Sequence, residues 1–556
     1  MPPAPRLLQV IDNAFPPCPR AAALYTQEVA HACGGAVFSL APAAAPAPDP
    51  PLFSPRPDES LRAAWHRALD QAQPHAVFVQ HLGAANPALL LDLRERGIPY
   101  AVFLHDFTPL CPVQRLWHRR QERCSGPGRT GWKCAWCVSG RWQRWPELPL
   151  RTLRYRHRPR DWRTALVRAD ALVAASRYLR EFWMDQGAPP ERIAVIPPLL
   201  SAPPPPAPHP LGAPPRLLYA GGTGQDAGIE VLAGALELLH QPVQVEAIGC
   251  LDLVRRDALR AAIAPRHAVV FHGVVAPADL PALLAACDAV AVPARWEAAF
   301  VCLAAQAQAA GTPVVATAVG GLTERIIHGV NGYLAAPDDP HAFAAGLREA
   351  FRREPPAWAD APMRQQAAAE ADAARAQLRR LLQRLASGAT EPDPALMLEH
   401  GGWLEAAART HAIALPEAAQ RLVTALRQVE PPDPSAPASP LQSDCRARAH
   451  AASRQRQVDL NHAIAFFRAC GCRRIAHWPA ATPPAADAVA CFQAWGLQTV
   501  PSGELPDGIF APTPPWEPPA ELDSAWLRHR FPQARALVTV SAAGVETTAW
   551  TVEGED

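Results

Sequence analysis

The stretch AVPARWEAAFVCLAAQAQAAGTPVVATAVGGLTERIIHGVNGYLAAPDDP, residues 291–340, constrains the fold more than any other part of the chain. A short apolar strand ends at Pro293, a polar-aromatic loop follows, and a helix of small residues runs to Ala310. Gly311-Thr312 turns the chain into a second strand, PVVAT, which stops at Gly320-Gly321. A further helix, TERIIHG, an Asn331-Gly332 turn and a last strand, YLAA, complete the unit. Strands and helices alternating at this spacing belong to a parallel α/β sheet, whose ligands bind beyond the carboxyl ends of the strands. Two loops at those ends, Arg295 to Phe300 and Ala318 to Thr323, are therefore candidate site loops.

The same alternation fills most of the chain. Its 556 residues are too many for one core, so about three domains are expected. The strand RLLQVID, the helix AALYTQEVAHAC and the strand GAVFSLA open it, followed by a Pro-Ala-rich excursion at 42–57. The helix ESLRAAWHRALDQA, the strand HAVFVQH, the helix NPALLLDLRERG and the strand PYAVFLHD continue the pattern. After the stiff linker SAPPPPAPHPLGAPP, the segment RLLYAGGTGQDAGIEVLAGALELL begins a second doubly wound set, which EADAARAQLRRLLQRLAS closes. The expected division is an N-terminal Rossmann-like domain at 1–200 with a cysteine-bearing insertion at 107–140, a linker at 201–215 and a second Rossmann-like domain at 216–388. A helical segment and proline linker at 389–444 and a small α/β domain at 445–556 complete it. The loop PAATPP in that last domain lacks the glycines of a dinucleotide site, so an interaction or architectural role is expected there.

The totals exclude some functions. Lys plus Arg (53) nearly cancels Asp plus Glu (52), which argues against a basic face for nucleic acid. The 64 prolines cluster in linkers between apolar, periodic segments, as in globular domains joined by spacers. No apolar run approaches the roughly 20 residues of a membrane span. The start, MPPAPRLLQVIDNAFPP, has too short an apolar core for a signal peptide, so a cytoplasmic protein is expected. Thirteen cysteines then suggest free thiols or a metal site before disulfides.

The stretch AAGTPVVATAVGG resembles the donor-sugar half of the retaining glycosyltransferases of family 4, two-domain enzymes of the GT-B fold. His105-Asp106 followed by FTPLCP is similar to the H-D-x-x-x-x-C-P signature of one branch of that family. The segment ADALVAASRYLREFWMDQGAPPERIAVIPP matches its counterpart at close to full length. The resemblance spans roughly residues 6–385 and implies transfer of a sugar from a nucleoside-diphosphate donor to a glycan or lipid-linked acceptor. It also implies retention of anomeric configuration and no catalytic metal. Cell-surface polysaccharide assembly is the implied setting, with peripheral contact at the inner face of the membrane. A degenerate member that binds glycan or nucleotide as a partner or scaffold is the alternative, because donor-site residues are replaced.

The resemblance places His105 in the cleft beside the donor sugar, where it would hydrogen-bond a hydroxyl and titrate near neutrality, with Asp106 orienting the loop or the imidazole. Taken alone, a histidine before an aspartate is more often a strand-end packing or capping residue. The loop Gly221-Gly222-Thr223 would approach the diphosphate, but Gly222 and Ala227 stand where the family has an arginine and a lysine. The cationic contribution is then gone unless Arg295 or another residue supplies it. Gln306 stands where the family glutamate bonds the donor ribose, and Ala298 replaces the other glutamate, with Glu297 one residue earlier and Phe300 in the same loop. Equally, Gln306 caps a core helix and Glu297 is merely solvated. Gly320, Gly321 and Leu322 would offer amides to the diphosphate. Cys111, Cys124, Cys134 and Cys137 suit a closed structural Zn²⁺ that staples the insertion, or are four reduced surface thiols. The Arg- and Trp-rich stretch from Arg115 to Arg163 offers contacts for a carbohydrate, a lipid phosphate or a partner.

Overall fold

The computed structural model describes most of residues 6–388, with breaks at 13–20, 42–50, 82–86, 119–121, 140–147, 198–212, 221–226, 250–255, 296–301 and 353–360 and shorter gaps. Beyond 388 it describes only strands between 474 and 549. The N-terminal strands are β1 (Leu7–Ile11), β2 (Ala36–Ser39), β3 (Leu52–Phe53), β4 (Ala76–Val79) and β5 (Tyr100–Leu104). A hairpin of β6 (Trp117–His118) and β7 (Glu122–Arg123) stands apart, and β8 (Ala171–Ala174) and β9 (Ile193–Val195) follow. The seven strands of the main sheet run parallel in the order β3-β2-β1-β4-β5-β8-β9. The chain moves outward from β1 to β3 and then restarts at β4 on the other side, so the order reverses between β1 and β4. Strands β1, β4, β5 and β8 are buried throughout, which explains their unbroken apolar character.

The second sheet repeats the design. Strands β10 (Arg216–Ala220), β11 (Gln244–Ile248), β12 (Ala268–Gly273), β13 (Ala289–Val292), β14 (Val314–Thr317) and β15 (Tyr333–Ala335) run in the order β12-β11-β10-β13-β14-β15. All its pairs are parallel, and its order reverses between β10 and β13. The long helix Ala361–Ala386 then returns to the first domain. Its Leu378, Leu381, Leu382 and Leu385 are buried in the same core as Leu8, Phe78 and Trp65. Arg379 Nη2 donates to the Ala32 carbonyl at 2.8 Å. Each buried leucine contributes about 1.5–3 kcal/mol, so this helix couples the stability of the two domains.

Three features depart from the sequence reading. The Pro-Ala-rich excursion supplies the short edge strand β3. A helix covers Leu148–Arg168, inside the stretch read only as an Arg and Trp cluster. The expected helix TERIIHG shrinks to Leu322–Arg325, because Ile326 turns extended at φ −101° and ψ 117°. Asn331 replaces the lost helical bonds: its Oδ1 accepts from the Ile327 amide at 2.7 Å and its Nδ2 donates to the Arg325 carbonyl at 3.0 Å.

Toward the C-terminus, β16 (Arg474–His477), β17 (Gln498–Val500), β18 (Gly508–Pro512), β19 (Ala536–Ser541) and β20 (Gly544–Ala549) form a sheet in the order β17-β16-β18-β19-β20. Only the β19–β20 pair is antiparallel. The segments RRIAHW, LQTVP and ALVTVS contain β16, β17 and β19. The helical segment expected within 389–444 lies outside the described residues.

Candidate active site

The first switch point gathers polar side chains at the strand ends. Asp12 follows β1, Gln80 and His81 follow β4, and His105 and Asp106 follow β5. His81 Nδ1 is 3.2 Å from Asp12 Oδ2 and its Nε2 is 3.1 Å from Asp106 Oδ2. Thr108 Oγ1 lies 2.9 Å from the same Nε2, and the Thr108 amide donates to Asp106 Oδ1 at 2.7 Å. Burial opposes charge on His81, but the hydrogen bonds and charges of Asp106 and Asp12 outweigh it and lift its pKa to about 10. His81 is therefore an imidazolium held between two carboxylates. Asp106 orients an imidazole as expected, but that imidazole belongs to His81.

His105 differs from expectation. Its ring stacks on Phe103, with centroids 3.9 Å apart, and meets Tyr25 edge-on at 5.4 Å. Burial, reinforced by the His81 charge, lowers its pKa to about 3, so it does not titrate near neutrality. Its tautomer follows from a chain of amides. The Thr26 carbonyl can only accept, so Gln9 Nε2 donates to it at 3.2 Å, and Gln9 Oε1 accepts from Gln80 Nε2 at 2.9 Å. Gln80 Oε1 then faces His105 Nε2 at 3.1 Å, which must carry the proton. Nδ1 keeps a lone pair that can accept from a hydroxyl. Sequence reasoning missed Gln9, Gln80 and His81. The available signal was the polar Gln80-His81 pair ending an apolar strand, just as His105-Asp106 ends the next.

The second switch point is built from backbone. Gly221, Gly222 and Thr223 lie outside the described residues, as do Glu297 and Phe300. The end of the glycine loop is described: Gly228 has φ +76° and starts the helix Ile229–Glu237. A Cβ there would stand 1.6 Å from the Pro293 carbonyl oxygen, so only glycine lets this helix approach the end of β13. Arg295 is buried, and its guanidinium pairs with Asp338 and lies 5.5 Å from the centroid of Trp117. The cation expected to face the diphosphate is thus already neutralised. Gln306 lies partly buried in the helix Cys302–Ala310, but Gln308 is the glutamine that ties this helix to the core, donating to the Asn331 carbonyl at 3.2 Å. In the buried Gly320-Gly321-Leu322 turn, the Leu322, Thr323 and Glu324 amides bond to the Val319, Gly320 and Gly321 carbonyls at 3.2–3.3 Å.

The two sets of strand ends face each other. Glu324, just past the β14 turn, accepts from the amides of Arg177 and Tyr178, just past β8, at 3.0 and 2.5 Å. The helix Arg177–Asp185 begins there, with Ser176 Oγ accepting from the Leu179 amide at 3.2 Å. A carboxylate at this helix start is favoured by the free amides and the helix dipole. The Arg295–Trp117 contact is a second bridge between the domains. The turn after β14 is thus tied to the end of β8, the neighbour of β5 in the first sheet.

Two family models match, one on each domain: Glycosyltransferase Family 4 over residues 18–200 and Glycosyl transferases group 1 over residues 214–353. The chain belongs to these glycosyltransferases. Similar curated proteins include a D-inositol 3-phosphate glycosyltransferase of Xylanimonas cellulosilytica, 38% identical over 32% of this chain and 47% of its own length. A glycogen synthase of Mycobacterium tuberculosis is 31% identical over 25% of this chain and 34% of its own. The chain thus spans about half or less of the length of these relatives. Among solved structures, Anabaena HepE in complex with UDP and glucose is 18% identical over 68% of this chain and 99% of that one, with a TM-score of 0.49.

Among the described residues, no helix is long and apolar enough to cross a membrane. Cys111 and Cys134 are buried, while Cys124 and Cys137 are partly exposed. All four are free thiols.

Proposed function

We propose that this protein transfers a sugar from a nucleoside-diphosphate donor to a glycan or lipid-linked acceptor, with retention of anomeric configuration. The observation that carries the reading is the bridge from Glu324 to the Arg177 and Tyr178 amides, which sets the two strand-end clusters opposite each other. In the reaction, the bond from the anomeric carbon to the diphosphate oxygen breaks and the acceptor oxygen bonds to that carbon on the same face. The acceptor proton ends on the diphosphate. His105, neutral with Nδ1 unprotonated, accepts a hydrogen bond from a donor-sugar hydroxyl, and the Gly320 and Gly321 amides bear on the leaving diphosphate. The action belongs on the cytoplasmic side, in surface-polysaccharide assembly, with peripheral membrane contact where the acceptor is a lipid.

The pairing of Arg295 with Asp338 favours a second reading, a member that binds nucleotide or glycan without turnover. Calorimetric titration of the full chain with UDP, GDP and their sugars tests the first. Saturable binding of one nucleotide, with slow release of that nucleotide from its sugar, is expected. Binding without turnover under any acceptor mixture leaves the second reading, and no binding at all overturns both.

A further inference from the structure

The helix Leu148–Arg168 is one-sided. Its Trp162, Ala165 and Leu166 are buried in the core of the first domain, and inward-facing Arg158 donates to the Thr108 carbonyl from Nε and Nη2 at 3.2 and 2.5 Å. On the opposite side Leu153, Arg160 and Val167, seven residues apart, fall on one line, because seven residues make nearly two turns. Exposed Arg156 and Arg163 run along one flank of that line, and exposed His157 and Arg168 along the other.

Among the described residues five large apolar side chains are exposed, and four of them lie here: Leu150 at 77%, Leu153 at 55%, Trp132 at 52% and Val167 at 46%. Trp132 opens the neighbouring helix Trp132–Ser139. The preceding Gly131 sits so close that a Cβ would stand 2.4 Å from both the Thr152 carbonyl oxygen and the Arg156 amide nitrogen. That contact seats Trp132 beside the first half of the longer helix. Charge is as one-sided as packing. The helix carries seven arginines against one acidic residue, Asp161, in a chain whose Lys plus Arg (53) and Asp plus Glu (52) nearly cancel. Arginines interleaved with exposed leucines match an interfacial helix, whose cations meet anionic headgroups while its apolar side chains reach the acyl boundary. A nucleic-acid backbone would engage the arginines and leave Leu150, Leu153 and Val167 in water.

The helix also overhangs the candidate site. At the start of β5 the Tyr100 hydroxyl donates to the Ala165 carbonyl at 2.7 Å, whereas Arg158 reaches Thr108, just past the end of β5. The ten residues before Arg158 therefore carry the helix about 15 Å beyond the carboxyl edge of the sheet, the edge that bears His81 and His105. We propose that the outward face of the helix Leu148–Arg168, with Trp132 beside it, docks the protein on an anionic lipid bilayer. Docking holds the carboxyl edge of the first sheet toward the membrane, within reach of a lipid-linked acceptor. That use rests on the transferase reading above, and the docking itself does not.

The test is co-sedimentation of the full chain with vesicles of phosphatidylglycerol and phosphatidylcholine, or of phosphatidylcholine alone, without donor or acceptor. Binding to the anionic vesicles is expected, weakening as salt is raised, with little binding to the neutral ones. Arg156→Gln with Arg160→Gln should lower partitioning by about thirtyfold. Leu150→Gln with Leu153→Gln should lower it by about tenfold and leave the salt dependence in place. All four side chains are exposed, so both variants should melt with the wild type. Arg352→Gln, an exposed arginine of the second domain, should change nothing. Equal binding to neutral vesicles, full binding by either helix variant, or capture of RNA with no binding of vesicles overturns the proposal. Vesicle binding by a chain that binds no nucleotide supports the docking face and sinks only the transferase reading.

Discussion

At the first switch point Gln9, Asp12, Gln80, His81 and Asp106 surround or support His105 with side-chain hydrogen bonds. At the second, the described residues offer the Gly320 turn, the close approach of Gly228 to Pro293 and an arginine already paired with Asp338. The first cluster fixes a neutral imidazole by charge and tautomer. The second brings backbone amides near, with no uncommitted cation in evidence among the described side chains just past β13. Under the proposed function, side chains would meet the sugar and main chain the diphosphate. The comparison also predicts where substitutions act: on protonation at the first point and on packing at the second.

The largest effect belongs to the second point. Gly228→Ala places a Cβ on the Pro293 carbonyl and should lower stability by on the order of 3 kcal/mol or more, read as a drop in denaturant midpoint. A variant that unfolds with the wild type would remove the close approach from the account. At the first point, Asp106→Asn takes one of the two carboxylates from His81. NMR should show the His81 pKa falling from about 10 toward its ordinary value, with stability reduced by about 1–3 kcal/mol at pH 8.

The two histidines give opposite pH dependences. His81 has a raised folded pKa, so its contribution is complete below the unfolded value near 6.5 and disappears as pH rises through about 10. His105 has a lowered one, so folding is opposed once pH falls below about 6.5, increasingly down to about 3. Their combined contribution should peak near pH 6.5. His105→Phe should flatten the acid limb and leave the alkaline limb, as followed by thermal melts across pH. A smaller effect is expected from Gln80→Met, which frees His105 from its tautomer: kcat should fall by about tenfold with KM nearly unchanged. Smallest is Glu324→Gln, which keeps one of the two oxygens that accept at the helix start, replaces the other with an amide nitrogen and removes the charge. It should cost about 0.5–1 kcal/mol, and a much larger loss would mean that the bridge between the domains depends on charge.

Much of the fold was legible because buried parallel strands leave unbroken apolar runs: PVVAT, PYAVFLHD and the short run ending at Pro293 each became a strand. The helix Leu148–Arg168 was not legible, since Pro159 and its dense arginines hide any apolar face. Nor was the truncation of TERIIHG, which depends on Asn331 folding back five residues later onto Ile326's neighbours. His105 and Asp106 could be singled out in the sequence, but not the partners that set their charge. A histidine's charge depends on what three separate strands deliver to it, and that pairing of β1, β4 and β5 is a property of topology.

The central claim is that the ends of β5 and β14 border one donor site. Hydrogen–deuterium exchange of the full chain, with and without saturating UDP or GDP, tests it most directly. Protection should rise together in residues 102–110 and 316–326 with the nucleotide that binds. Protection confined to one of these segments, or to neither while a nucleotide is bound, would contradict the account.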